Sequence, residues 1–117
     1  MLRSMFHSKI HRATLTDTRL DYEGSIAVDK ALLDAADMLP GEEVHVLNVN
    51  NGQRLVTYII EAPAGSGTVM LNGPAARMGQ PGDIVVLITY ASMTEEEARE
   101  FKPRVVFVDE KNRQKSK

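Results

Sequence analysis

Residues 43–61 read EVHVLNVNNGQRLVTYIIE, and their alternation sets the class of the fold. Over 43–50, Val44, Val46 and Asn48 alternate with His45, Leu47 and Val49, a period of two that belongs to a strand with two unlike faces. Asn51-Gly52 then carries the signature of a type I′ hairpin turn, in which both central residues take positive φ. Residues 53–61 return as the partner strand. Leu55, Thr57 and Ile59 share one face, and Arg54, Val56, Tyr58 and Ile60 the other.

On the C-terminal side the strand pattern continues. Residues 63–67 form a Gly/Pro/Ser loop, residues 68–71 a short strand, and Asn72-Gly73-Pro74-Ala75-Ala76 a sharp turn. After a second turn at 80–83, residues 84–90 form a near-continuous apolar run, which predicts a strand buried on both faces. Thr94 caps a helical turn whose first residues are Glu95, Glu96 and Glu97, as the helix dipole prefers. A last strand is expected over 105–108, and residues 109–117 read as a charged, frayed tail.

On the N-terminal side, residues 1–16 alternate loosely and predict an extended strand, with Lys9 and His11 on one face and Ile10 on the other. Thr16-Asp17-Thr18 reads as a short turn. The one clear helix is expected over 29–39, with Asp29 as N-cap, Leu32, Leu33 and Ala36 as its apolar stripe, and Pro40-Gly41 as its stop. Many short strands, two small helices and no repeats point to one compact β-barrel over residues 1–108.

Composition narrows the function. The 117 residues are 43% hydrophobic and only 5% aromatic, so an aliphatic core is expected. A net charge of −2 argues against general nucleic-acid binding. No apolar run approaches the roughly 20 residues of a membrane span, and residues 1–12 do not form a signal peptide, so a cytoplasmic protein is expected. There is no cysteine, which removes disulfides and thiolate catalysis, and the three histidines lack the spacing of a metal site.

The stretch that carries chemistry is Tyr22-Glu23-Gly24-Ser25-Ile26-Ala27-Val28-Asp29. Glycine has no Cβ, so the Gly24 carbonyl is open to approach. The Ser25 hydroxyl reaches back to that carbonyl carbon, a geometry that permits an N→O acyl shift where an oxyanion donor stands nearby. Taken alone, a Gly-Ser pair is more often a turn. In isolation Lys9 and Arg54 are surface charges, Tyr58 a core residue with a satisfied hydroxyl, and Asn72-Gly73 a turn signal.

Their joint occurrence changes that reading. Lys9-Ile10-His11-Arg12, Tyr22-Glu23-Gly24-Ser25, Asn51-Gly52-Gln53-Arg54 with Thr57-Tyr58, Asn72-Gly73-Pro74-Ala75-Ala76, and Gly82-Asp83-Ile84-Val85 stand in one order from the first residues to about Phe101. In that order and spacing they resemble the aspartate 1-decarboxylase family, pyruvoyl-dependent enzymes that make β-alanine for pantothenate. The resemblance implies a six-stranded double-psi β-barrel, assembled as a homotetramer with active sites between subunits. It implies self-cleavage between Gly24 and Ser25, either unaided or with a maturation helper protein, and conversion of Ser25 to a pyruvoyl group that forms a Schiff base with L-aspartate. Lys9 and Arg54 are then the cations for the substrate carboxylates, and Tyr58 the proton donor. Thr57 takes part in cleavage. It faces away from Tyr58 on an ideal strand, so a bulge or a site between subunits is expected to reconcile the two. Asn72, Gly73, Pro74 and Ala75 form the substrate- and oxyanion-binding turn, and Tyr22 and His11 line the site.

Two positions depart from the family pattern. Ile26 replaces a small residue or cysteine beside the bond to be cut, and Pro74 removes an N–H from the Asn72–Ala76 turn. The rival readings are a non-catalytic barrel that holds an acidic small molecule through Arg54 and Lys9, and a structural oligomer domain. A serine hydrolase fits least, since Ser25 lacks the Gly-x-Ser-x-Gly elbow.

Overall fold

The computed structural model describes all residues from Met1 to Lys117. The chain runs β1 (Leu2–Thr14), β2 (Asp17–Arg19), β3 (Ser25–Asp29), α1 (Lys30–Ala36), β4 (Glu43–Asn48), β5 (Arg54–Ala62) and β6 (Val69–Asn72). A 3₁₀ segment (Gly73–Met78) leads to β7 (Ile84–Thr94), α2 (Glu95–Glu100), β8 (Arg104–Val108) and β9 (Gln114–Lys115). All nine strands belong to one sheet in the order β2-β6-β3-β5-β4-β7-β1-β8-β9.

The linker between β1 and β2 curls this sheet into a small mainly-β barrel. Leu15 N donates to the Asp83 carbonyl (2.8 Å) beside β7, and Thr16 N donates to the Val69 carbonyl (2.8 Å) in β6. One nearly continuous stretch thus ties β1 to the far edge of the sheet. Inside lies an aliphatic cluster that includes Ile10, Leu15, Ile26, Ile59, Leu71 and Leu87. No aromatic ring belongs to it, as the composition predicts. The sheet counts nine strands where the resemblance implied six, in part because β2 and β9 are pairings of only three and two residues.

The strand buried along its whole length is β3, not β7. All five residues of β3 are buried, between β5 on one side and β6 on the other. In β7 only alternate residues, Val85, Leu87 and Thr89, are fully buried. The other face of the apolar run, Ile84, Val86 and Ile88, is half-buried, and Tyr90 is exposed. The apolar run therefore marks a face that is only partly covered within this chain.

Asp29 caps α1 as expected, accepting from Ala31 N at 2.8 Å. It also accepts from Gly65 N (2.9 Å) and Gly67 N (2.8 Å), so one buried carboxylate ties β3, α1 and the β5–β6 loop together. Burial pushes this carboxyl up, but the N–H donors of Gly67, Ala31 and Gly65 outweigh it and hold the pKa below the ordinary value of 3.8. The helix ends three residues short of the expected Leu39. Asp37 turns left-handed (φ 57°), and Met38 N bonds back to the Leu33 carbonyl (2.9 Å).

Four further expectations change. The 49–53 connection is not a type I′ turn. Gly52 alone has positive φ, and the Asn48 carboxamide organises the loop by accepting from Asn50 N and Asn51 N. Residues 17–19 pair with β6 as a strand rather than forming only a turn. Residues 73–78 form a 3₁₀ segment with Pro74 in its first turn. Residues 109–117, expected to fray, carry β9. Asn112 there is buried and left-handed (φ 60°), and it bonds to both the Thr14 and Gly67 carbonyls at 2.8 Å. No helix is long and apolar enough to cross a membrane.

Candidate active site

Ser25 opens β3, directly opposite Asn72 at the end of β6 in an antiparallel register. That pairing places the Asn72 carboxamide on the serine: Nδ2 donates to Ser25 Oγ at 3.1 Å. The Ser25 hydroxyl in turn points to the Glu23 carbonyl at 3.4 Å. Ser25 is 2% exposed and Asn72 is fully buried, so the contact is shielded from bulk water. The Asn72 Oδ1 atom is buried with no hydrogen-bond partner. An orphaned buried acceptor beside a nucleophile is costly unless another donor arrives there during the chemistry.

Gly73 brings the next turn into contact with the Gly24 backbone. Its φ is +63°, and a methyl group on it would stand 2.6 Å from the Tyr22 carbonyl oxygen and 2.7 Å from Gly24 N. Only a residue without Cβ permits this approach. Pro74 lies on the other side of the junction: a methyl group on Gly24 would meet its Cδ at 3.5 Å. The Gly24–Ser25 peptide is therefore gripped by the Asn72–Pro74 corner.

Two cavities flank this peptide, each of about 320 Å³. Tyr22, Glu23, Ser25, Tyr58, Ile60 and Asn72 line the first. The second is lined by Gly24, Thr57, Pro74, Ala75 and Met78, with Leu55 and Val56. Adjacent residues of β5 thus serve opposite sides of one bond, Tyr58 on the serine side and Thr57 on the glycine side. No bulge is needed: β5 runs in unbroken register with β4 from Glu43–Tyr58 to Leu47–Arg54. Tyr22 also borders the serine cavity, and its hydroxyl accepts from Arg19 Nη1 at 2.8 Å.

The remaining expected residues lie elsewhere. Arg54 opens β5, four residues and about 13 Å along the strand from Tyr58. Lys9 sits on β1, with β5, β4 and β7 between it and β3 in the sheet. The Lys9 ammonium lies 5.5 Å from the Phe6 ring centroid. Arg54 Nη2 contacts the Tyr90 hydroxyl (3.0 Å) and His45 Nδ1 (3.2 Å), two residues that no sequence motif marks as functional. Neither cation has a carboxylate partner. His11 lines a different cavity, with Arg12 and Phe107, and its pKa is lowered by burial and by the charges of Lys9 and Arg12. Within one chain the structure therefore joins Ser25, Gly24, Asn72, Gly73, Pro74, Ala75, Thr57, Tyr58 and Tyr22, and leaves Lys9, Arg54 and His11 apart from them.

Fold and site together define a class: a small β-barrel enzyme whose candidate nucleophile is a strand-initial serine behind a glycine. The family model described as aspartate decarboxylase matches residues 1–115. The chain is 57% identical to an aspartate 1-decarboxylase of Thermoanaerobacter pseudethanolicus over 97% of each sequence. It is 59% identical to an aspartate 1-decarboxylase of Dehalococcoides mccartyi, over 93% of this chain and 88% of that one. An aspartate 1-decarboxylase of Acaryochloris marina is 58% identical, over 97% of this chain and 86% of its own length. The chain belongs to the aspartate decarboxylase family.

Proposed function

We propose that this protein decarboxylates L-aspartate to β-alanine and CO2, the step that feeds pantothenate biosynthesis, with a pyruvoyl group made from its own Ser25. The observation that carries the reading is the corner where a buried Ser25 hydroxyl receives the Asn72 amide while Gly73 packs on Gly24.

In the maturation step Ser25 Oγ attacks the Gly24 carbonyl carbon. The peptide C–N bond breaks as the ester C–O bond forms, and the Ser25 nitrogen leaves as an amine. Asn72 Nδ2 holds the attacking oxygen, and Thr57 lines the cavity on the glycine side of the bond. Loss of the Ser25 α-proton then expels the Gly24 carboxylate by β-elimination. Water adds to the resulting enamine, releases ammonia and leaves a ketone. The corner fits that group: Asn72 supplies both a donor and the unpartnered Oδ1 acceptor at its position. Once formed, the group supplies an electron sink for the electrons left behind when CO2 departs. Tyr58, in the same cavity, holds the proton that the product carbon then takes up.

Arg54 and Lys9 bind the two carboxylates of aspartate, with Arg54 the better bidentate partner. They lie too far from Ser25 of their own chain to do so there. We therefore infer a homotetramer in which one subunit's outer sheet face closes its neighbour's serine cavity. The half-buried Val86 and Ile88, and the exposed Val56 and Tyr90, support this, because they leave apolar surface on the same face as Arg54. The cytoplasmic setting expected from the sequence belongs to the same proposal.

The test is product analysis on purified, cleaved protein given L-aspartate or L-glutamate. β-Alanine with stoichiometric CO2 from aspartate is the expected result. A cleaved protein that makes no β-alanine refutes the assignment. An uncut chain is incubated with cell extract, and cleavage then identifies dependence on a helper protein.

A further inference from the structure

We infer that His45 and Tyr90 are positioning residues that fix the Arg54 guanidinium for a substrate carboxylate. The inference rests on the proposal that Arg54 binds that carboxylate.

Arg54 is an exposed, flexible side chain at the start of β5, and ordering such a chain costs rotamer entropy unless neighbours hold it. Two neighbours do. β7 contributes Tyr90, whose hydroxyl oxygen lies 3.0 Å from Nη2, and β4 contributes His45, whose Nδ1 lies 3.2 Å from the same atom. The two rings brace each other edge-on, with centroids 5.0 Å apart and planes at 70°. Both contacts fall on Nη2, and Nη1 keeps its donors for a ligand.

A guanidinium has donors only, so both partners accept. That fixes the His45 tautomer: Nδ1 is unprotonated and the proton sits on Nε2, which faces Glu43 Oε2 at 3.5 Å. The groups facing His45 are Glu43 on its own strand, Arg54 on β5 and Tyr90 on β7. Lys9 stands one strand further, paired with Ile88, which is also the partner of His45. Protonation of His45 replaces an acceptor with a second cation beside Arg54 and releases the guanidinium. Affinity for aspartate is then expected to weaken once His45 takes up a proton in acid, with little change in the chemical step.

The experiment measures KM and kcat for L-aspartate on cleaved protein, across pH. Tyr90→Phe keeps the ring and removes the acceptor, and His45→Phe removes the other. Each is expected to raise KM about five- to tenfold, with kcat and self-cleavage unchanged. His45→Asn places Oδ1 where Nδ1 stood and cannot titrate. It is expected to restore most of the affinity lost in His45→Phe and to flatten the acid-side rise in KM. In an Arg54→Ala background neither Phe substitution is expected to add a further loss. If Arg54→Ala raises KM while Tyr90→Phe and His45→Phe do not, or if their losses persist without Arg54, the positioning role is overturned. If Arg54→Ala itself leaves KM unchanged, the carboxylate reading of Arg54 fails, and this inference fails with it.

Discussion

The Ser25 corner and the outer face around Arg54 are built on opposite physical terms. At the corner, the groups that hold the Gly24–Ser25 bond belong to one chain, and Ser25, Asn72 and Gly73 at its centre are buried. On the outer face, Arg54, Lys9, His45 and Tyr90 come from four strands and stay partly exposed, and the two cations among them, Arg54 and Lys9, have no carboxylate partner. The first region is complete within a chain and the second is not. Cleavage is thus expected to be an intramolecular event, and turnover an intermolecular one, even though both use the same serine.

The largest effect should come from separating the two regions genetically. Ser25→Ala removes the nucleophile and is expected to give an uncut, inactive chain, and Arg54→Ala to give a cut chain with poor aspartate binding. Co-expressed, the two should recover activity, since a cut subunit then borrows Arg54 from an uncut neighbour. Mixed assemblies no more active than Arg54→Ala alone would place both functions in one chain.

Gly73→Ala tests the corner without touching a reactive group. Its methyl would collide with the Tyr22 carbonyl and Gly24 N at a left-handed φ, so cleavage should slow by about 100-fold or more, as when an oxyanion donor is lost. Normal cleavage kinetics, followed by gel or mass, would mean that the close approach is incidental.

Tyr58→Phe separates the two stages. The cavity wall is kept, cleavage is expected to be normal, and kcat should fall by about 100-fold or more for loss of the proton donor. An unchanged steady-state rate removes Tyr58 from that role.

Asp29→Asn has the smallest expected effect and reports on the scaffold at the other end of β3. The Asp29 carboxyl titrates below 3.8 in the folded chain. Its stabilisation is therefore present above that value and is lost as pH falls through the lower folded pKa. The substitution should cost about 1–2 kcal/mol near neutral pH and flatten the acid limb of a urea-midpoint series. An unchanged acid limb would show that the three N–H donors do not depend on the charge.

The sequence made the local parts of this picture readable. Alternation in 43–61 defined β4 and β5 and put Arg54 and Tyr58 on one face, and the Asp29 cap and the Thr94–Glu97 capping box mark the two helix starts. What stayed hidden depends on pairings distant in sequence. β2 forms only because Asp17–Arg19 meets β6, and the tail is ordered because Asn112 reaches Thr14 and Gly67. The apolar run in β7 misled because a strand whose second face is only half covered within its chain carries the same residues as one buried on both faces. At the site, the motif residues named the corner but not the support of Arg54. Tyr90 and His45 lie 36 and 9 residues from it, and only the β4–β5 and β4–β7 ladders bring them together. A histidine alternating on the same outer face as the arginine was the one available signal.

The most direct test of a self-processed serine is the intact mass of the purified protein under denaturing conditions. Two fragments are expected, split at Gly24–Ser25, with the larger about 17 Da lighter than a fragment that begins with unmodified serine, because elimination of the side-chain oxygen followed by hydrolysis removes one ammonia in net. A fragment with the full serine mass, or a single chain that stays uncut after incubation with cell extract, would contradict the account.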